Sequence, residues 1–496
     1  MPKLKSKWVC QQCGFQSPAF LGRCTDCGSW NSLVEEIIRE TAPNGRPGER
    51  LAAQRAEKQG AINGSSGPVA LKDVKKEDYE RFSLGLSSVD EVLGGGIVPG
   101  SVVLLAGDPG IGKSTLLLQI AKSLEAKRSL LYVSAEESAA QVGLRASRLG
   151  IAGDQLYIDT QQDVLLVCEH IQAKLPGLII IDSIQAVYHP DIGSAPGSVS
   201  QVRQAAEEII NCARLNNIAA VIVGHINKEG VIAGPKVLEH MVDVVLQFEG
   251  DKSRQFRILR ALKNRFGSTS EIALFSMNET GLNEVNQAGA FFLGDHLSKV
   301  NNGEQLGAGT AIVAYNEGNQ ALFLEVQALV GPTVYSSPRR VANGWDYNRL
   351  LQIIAVLEKK IGLSLARHDV YVNVVGGLDF NNPAGDLGVS TAITTSFYEK
   401  SVPANLFMVG EIGLTGEIRP VAGLAKILKE ASRLGFKQAV IPTSNLKESA
   451  GENINLSASK LEINGVESLQ EALNKIIVEQ QTGTPKQSEK QGALYG

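Results

Sequence analysis

The stretch Val102-Val103-Leu104-Leu105-Ala106-Gly107-Asp108-Pro109-Gly110-Ile111-Gly112-Lys113-Ser114-Thr115 decides the class of this chain. An apolar run precedes the glycines and a second, Leu116–Ala121, follows them, so the order is strand, loop, helix. That context gives the G-x-x-x-x-G-K-[ST] pattern its meaning. Glycines let backbone N–H groups converge on phosphate oxygens, and a helix N-terminus adds its positive dipole end. Lys113 then reaches the outer phosphates and the Ser114 hydroxyl ligates Mg²⁺. A bare glycine-rich turn has no need of the Lys-Ser pair. The loop predicts a bound nucleoside triphosphate, ATP, with Mg²⁺ beside it.

Working outward, 496 residues exceed one hydrophobic core and imply two or three domains. With 43% hydrophobic and 20% charged residues the chain reads as globular. A net charge of −4 gives no global basic footprint, so contact with nucleic acid must come from local patches. No apolar run nears the ~18 residues that span a bilayer, and no apolar segment follows the basic start at Met1–Lys5. The expectation is a cytoplasmic protein without membrane contact.

Four of six cysteines form two pairs, Cys10 with Cys13 and Cys24 with Cys27, each followed by a glycine. Two such knuckles aim four thiolates at one tetrahedral Zn²⁺. Two disulfides are the rival pairing, and reducing conditions inside a cell favour the metal. Some thirty residues bury too little to fold alone, so the metal is expected to hold this module. Cys168 and Cys212 lie in helical patterns and read as inert core thiols.

The expected organisation is a zinc module at 1–32 and a linker at 33–79, polar and rich in glycine and serine. Residues 80–285 form a nucleotide-binding domain, 286–480 a second block, and 481–496 a disordered tail. Strand candidates at 102–106, 129–133, 178–181, 218–223 and 242–248, with helical patterns between the first four, predict an α/β fold with a mainly parallel sheet. The run Leu178–Ile181 ends in Asp182, placed to hold the Mg²⁺ shell. Between the phosphate loop and Asp182, at the end of the strand after the phosphate-loop helix, comes Glu136-Glu137, and Glu136 is preferred over Glu137 as the carboxylate that polarises the attacking water. A helix-start acid pair explains the same residues without chemistry. His225, at the end of another strand, is either a nucleotide-state sensor or a satisfied polar residue.

These elements resemble a RecA-type ATPase core, joined by the run Ser83–Leu86 and Leu93-Gly94-Gly95-Gly96-Ile97. The pentapeptide Lys263-Asn264-Arg265-Phe266-Gly267, with the four-cysteine start, is similar to the bacterial RadA (Sms) family of DNA-repair proteins. The resemblance implies a RecA-like P-loop core, a four-Cys zinc module and an α+β Lon-protease-like C-terminal domain. It further implies a hexameric ring acting on single-stranded and branched DNA, with the recombinase RecA as partner. Within it Lys263 and Arg265 face the neighbouring subunit's nucleotide, where a cation stabilises transition-state charge. Solvated surface cations are the plainer account of the same two residues. The loop 227–236, with Lys228 and Lys236, is glycine-spaced and basic, suited to tracking phosphates without stacking on bases.

The C-terminal block resembles the Lon protease domain through 337–340, Asp346–Arg349 and Gly410–Leu414. Aligned on that family, Asp386 stands where the serine nucleophile belongs and Ile427 where the lysine does. Lys426 is one residue off, about 100° round the helix. The block is therefore expected to be catalytically inactive, a scaffold whose Arg339, Arg340 and Arg349 offer a DNA-facing patch. Two alternatives to the motor reading are an ATP-dependent Lon-like protease and a nucleotide-gated DNA-binding adaptor.

Overall fold

The computed structural model describes residues 4–10, 15–39, 80–225, 236–250, 256–285, 288–294, 296–376, 380, 382–449 and 461–477. The chain forms two compact units, one from 1–250 and 254–286, the other from 251–253 and 287–496. In the first unit, β1 (Leu4–Cys10) pairs antiparallel with the short β2 (Gln16–Ser17) and along its whole length with β3 (Leu33–Arg39). Residues 33–39, expected as linker, thus belong to the ribbon. Their paired glutamates hide any strand alternation, and the pairing comes from β1.

The rest of the unit is one nine-stranded sheet. Its parallel part contains β4 (Val102–Gly107), β5 (Leu130–Ser134), β6 (Leu156–Asp159), β7 (Leu178–Asp182), β8 (Ala219–His225) and β9 (Val244–Gly250). Antiparallel strands β10 (Phe256–Asn264), β11 (Ile272–Asn278) and β12 (Gly281–Glu284) extend it, giving the order β12-β11-β10-β9-β4-β8-β7-β5-β6. β4 lies in the middle, flanked by β8 and β9. It is apolar throughout because both of its faces are covered. Val103 and Leu105 join α1 (Ser87–Leu93) and α2 (Lys113–Leu124) in one core; Val102, Leu104 and Ala106 join α4 (Val164–Lys174) and α5 (Val199–Leu215) in the other. Helix α3 (Ala139–Arg148) begins with a capping box from Ser138 and Gln141. Cys168 and Cys212 are buried between α4 and α5, each thiol donating to a backbone carbonyl of the opposite helix at 3.8 Å.

The second unit carries a mixed seven-stranded sheet. Against it lies a helix, α7 (Asp386–Phe397), whose first ten residues are all buried. Asp386 is fully buried, and Arg349 on α6 (Tyr347–Val356) engages it with Nε at 2.9 Å and with Nη2. The Ile412 N–H donates to the same carboxylate at 2.9 Å. Burial pushes the Asp386 carboxyl up, while the Arg349 guanidinium and that N–H pull against the rise. Of the three arginines expected to offer a DNA-facing patch, Arg349 serves this ion pair and Arg340 donates to the carbonyls of His368 and Leu365. Arg339 lies 3.6 Å from the Tyr335 ring centroid. On α8 (Leu424–Leu434), Ile427 is buried and Lys426 exposed.

Among the described residues no helix is long and apolar enough to cross a membrane.

Candidate functional site

Parallel strands end on the same side, so residues at their carboxyl ends meet. The register sets Gly107 opposite His225 and Ser134 opposite Asp182. The resulting cavity has a volume of about 360 Å³, and Lys113, Ser114, Glu136, Glu137, Asp182 and His225 are among its walls. The loop needs its glycines. A Cβ on Gly107 would sit 2.4 Å from the Phe248 carbonyl oxygen, and Gly112 holds φ at +116° where α2 begins. No side chain caps α2, so its first N–H groups remain available to phosphate.

Lys113 is 5% exposed, and its Nζ donates to Gly107 O (2.7 Å), Asp108 O (2.9 Å) and His225 Nδ1 (3.2 Å). The ammonium can only donate, so His225 Nδ1 accepts and its Nε2–H points at Glu136 Oε1, 3.4 Å away. A chain of three polar groups therefore joins the phosphate loop to Glu136. The His225 contact, with help from the Ser183 hydroxyl, holds the Glu136 carboxyl below its ordinary range despite partial burial. Burial lowers the Lys113 ammonium from 10.5 to about 8, against the pull of Asp182, Asp108 and Glu136. Glu137 instead pairs with Arg145 at 2.8 Å.

Asp182 accepts a hydrogen bond from the buried Tyr132 hydroxyl, and Ser114 also bonds that phenol. A carboxylate and a hydroxyl brought together by one phenol are the hard oxygen donors a small divalent cation requires. Ser114 and Asp182 are the residues that would hold Mg²⁺, whose charge would offset that of the phosphates. Sequence reading missed Arg145 and Tyr132. Arg145 left only a spacing of two helical turns from Glu137, and Tyr132 only a hydroxyl inside an apolar strand that demanded a partner.

A pH dependence follows from Lys113. The protonated amine is the form that attracts phosphate, and in the nucleotide-free protein its population falls as pH rises through about 8. kcat/KM for ATP should decline above that point, by up to about tenfold per pH unit. kcat should stay flatter, because bound triphosphate restores the charge. Steady-state assays checking this would contradict it with a kcat/KM level to about pH 9.

The pentapeptide lies elsewhere. Lys263 pairs with Val245, itself opposite Leu104, three residues before the phosphate loop begins. At about 3.3 Å per residue that sets it at least roughly 10 Å back along the sheet. Its side chain turns farther away, to Glu239 O and Val242 O, both at 2.7 Å. Asn264 donates to Val92 O, and Arg81 donates to Phe266 O at 2.6 Å. A Cβ on Gly267 would come within 3.1 Å of Gly94 Cα, so the pentapeptide and the 94–96 glycines fit each other. Loop 226–235, including Lys228, is outside the described residues, as is the Lys236 side chain.

In the ribbon the Sγ atoms of Cys10, Cys24 and Cys27 lie within 4.8 Å of one another; Cys13 is outside the described residues. Cys10 Sγ to Cys27 Sγ is 3.7 Å, close to the ~3.8 Å edge of a tetrahedron with Zn–S bonds of about 2.3 Å. Gly28, at φ +74°, returns its N–H to Cys24 O at 3.0 Å and closes the second knuckle. The donors fit zinc.

Comparison with known proteins agrees with this geometry. Residues 68–231 match the AAA domain family, 8–35 the rubredoxin metal binding domain family, and 349–445 the family described as subunit ChlI of Mg-chelatase. The DNA repair protein RadA of Halalkalibacterium halodurans is 44% identical over 95% of this chain and 99% of its own. Its counterpart in Bacillus subtilis is 45% identical over 90% and 94%. That of Synechocystis is 44% identical over 91% and 92%. A KaiC-like protein of Pyrococcus horikoshii aligns over 42% of this chain and 99% of its own at 17% identity, with a TM-score of 0.36 that adds nothing to the fold described above.

Proposed function

The chain belongs to the RadA family of DNA repair proteins, and from that premise we propose that it is a DNA-dependent ATP motor working as a ring of identical subunits, six in number. Single-stranded DNA and the branched intermediates of homologous recombination are its substrates. The recombinase RecA is its partner, met through the zinc ribbon, and the cytoplasm its compartment. Lys113 and the loop amides bind the phosphates, Ser114 and Asp182 hold Mg²⁺, and Glu136 orients the water. Lys263, with Arg265 as helper, serves the nucleotide of the adjacent protomer, and loop 227–236 tracks the DNA backbone.

One observation supports a shared site above the rest: Lys263 lies back along the sheet from its own phosphate loop and turns away from it. A cation so placed is useful to another chain's triphosphate. The protease alternative is disfavoured because Asp386 is locked to Arg349 and Ile427 is buried. The C-terminal block then serves as an inactive scaffold.

The test is ATP hydrolysis with and without single-stranded DNA, alongside a strand-displacement assay. DNA should stimulate turnover, and Lys263→Ala should cut the stimulated rate about a hundredfold while ATP binding persists. If neither DNA nor Lys263→Ala alters the rate, the motor reading fails.

A further inference from the structure

Asp243 sits where β9 meets β4. Its N–H donates to Val102 O and its carboxylate accepts from Val102 N, both at 3.0 Å. The same carboxylate, 7% exposed, accepts from Arg214 Nη2 at 3.2 Å and from Arg265 Nη1 at 3.1 Å, while Arg265 N donates to Asp243 O at 3.1 Å. One arginine and the Val102 amide would already satisfy a buried carboxylate. A second arginine, fixed through both side chain and backbone, exceeds what satisfaction requires.

Lys263 is placed by the same segment, through the carbonyls of Glu239 and Val242. A β-bulge between Ala261 and Lys263 throws Leu262 outward, 50% exposed, and re-aims the residues after it. Arg203, Arg214 and Arg265, with Glu207, border a cleft of about 360 Å³. Arg214 and Arg265 repel Lys263, and Asp243, with Glu239, supplies the opposite charge, Asp243 being the buried one.

We propose that Asp243 is a positioning residue of the ATPase: it fixes Arg265, and its flanking segment fixes Lys263, as one preset pair aimed at the nucleotide of the next protomer. Preorganisation of this kind removes the reorganisation a mobile cation would need during the reaction. The inference rests on the shared-site reading above. Arg214 braces the same carboxylate, and both arginine side chains are partly exposed, 44% for Arg214 and 53% for Arg265.

The experiment uses the full-length protein in two arms. Asp243→Asn keeps an acceptor for Val102 N–H, so it should bind ATP with KM within about twofold of wild type. It should lose about tenfold in DNA-stimulated kcat. Mixed with Lys113→Ala, which has a disabled pocket but an intact cation pair, it should regain turnover that neither variant shows alone. Lys263→Ala mixed with Lys113→Ala is the reference arm. Recovery in the reference arm alone, or a kcat for Asp243→Asn within about twofold of wild type, overturns the role of Asp243 and leaves the shared site standing. Recovery in neither arm overturns the shared site and the inference with it. Should Asp243→Asn fail to bind nucleotide, Asp243→Glu, which keeps the charge but shifts it by one methylene from Arg265, takes its place. It must show the same kcat loss and the same recovery, or the inference falls.

Discussion

Glu136→Gln should lower ATP turnover roughly a thousandfold and leave nucleotide affinity within about twofold of wild type. The carboxylate neighbours Lys113 and Asp182 in the cavity, and two contacts fix it: the Ser183 hydroxyl and His225 Nε2. Both fall on Oε1, which leaves Oε2 to orient a water. The His225 contact lowers its proton affinity, so it is ionised at neutral pH. A weak base suffices because phosphoryl transfer is loose, and the water needs aiming more than deprotonating. Glutamine keeps the shape and loses the charge. Glu137→Gln is the control: its carboxylate is spent on Arg145, and the loss should stay under about tenfold. Single-turnover hydrolysis with a fluorescent nucleotide titration separates chemistry from binding. A larger loss from Glu137→Gln would transfer the role to that residue.

Removing zinc should unfold the ribbon and spare the nucleotide cavity. The ribbon's buried core is Cys10, Cys24 and Leu33, with Trp8, Phe15 and Leu21 packed partly against it. Ordering some thirty residues costs about 1.5 kcal/mol each, which so small a core cannot offset. A structural zinc contributes about 10–16 kcal/mol at neutral pH. Two of the chain's three tryptophans, Trp8 and Trp30, lie in this module. Chelation or Cys24→Ser should therefore change tryptophan emission and expose the cysteines to thiol reagents. ATP-analogue binding should hold within about twofold, since the loop and its supporting strands lie between residues 102 and 282. Unchanged emission from protein shown by metal assay to be zinc-free would contradict this.

The catalytic end of the sheet was legible because each apolar run stops at a residue with chemistry: Gly107, Ser134 ahead of Glu136, Asp182 and His225. Burial on both faces and parallel pairing then bring those ends together with no further signal needed. β6 was not legible, being four residues with no run to announce it. The antiparallel extension β10–β12 escaped too, since polar and apolar residues mix along it. Asp243 gave no sign, because its importance comes from Arg214 and Arg265, brought to it by the fold. The ion pair of Arg349 was hidden for the same reason: its partner, Asp386, is 37 residues away.

That last pair constrains how the C-terminal unit can change over time. A wholly shielded carboxylate beside a guanidinium tolerates neither charge alone, and stripping one partner from such a pair costs about 3–5 kcal/mol. Positions 349 and 386 must therefore be inherited as a couple, and should covary wherever descendants of this fold diverge. Serine at 386 would leave Arg349 with only the more distant Glu411 carboxylate, 3.8 Å away, to answer its charge.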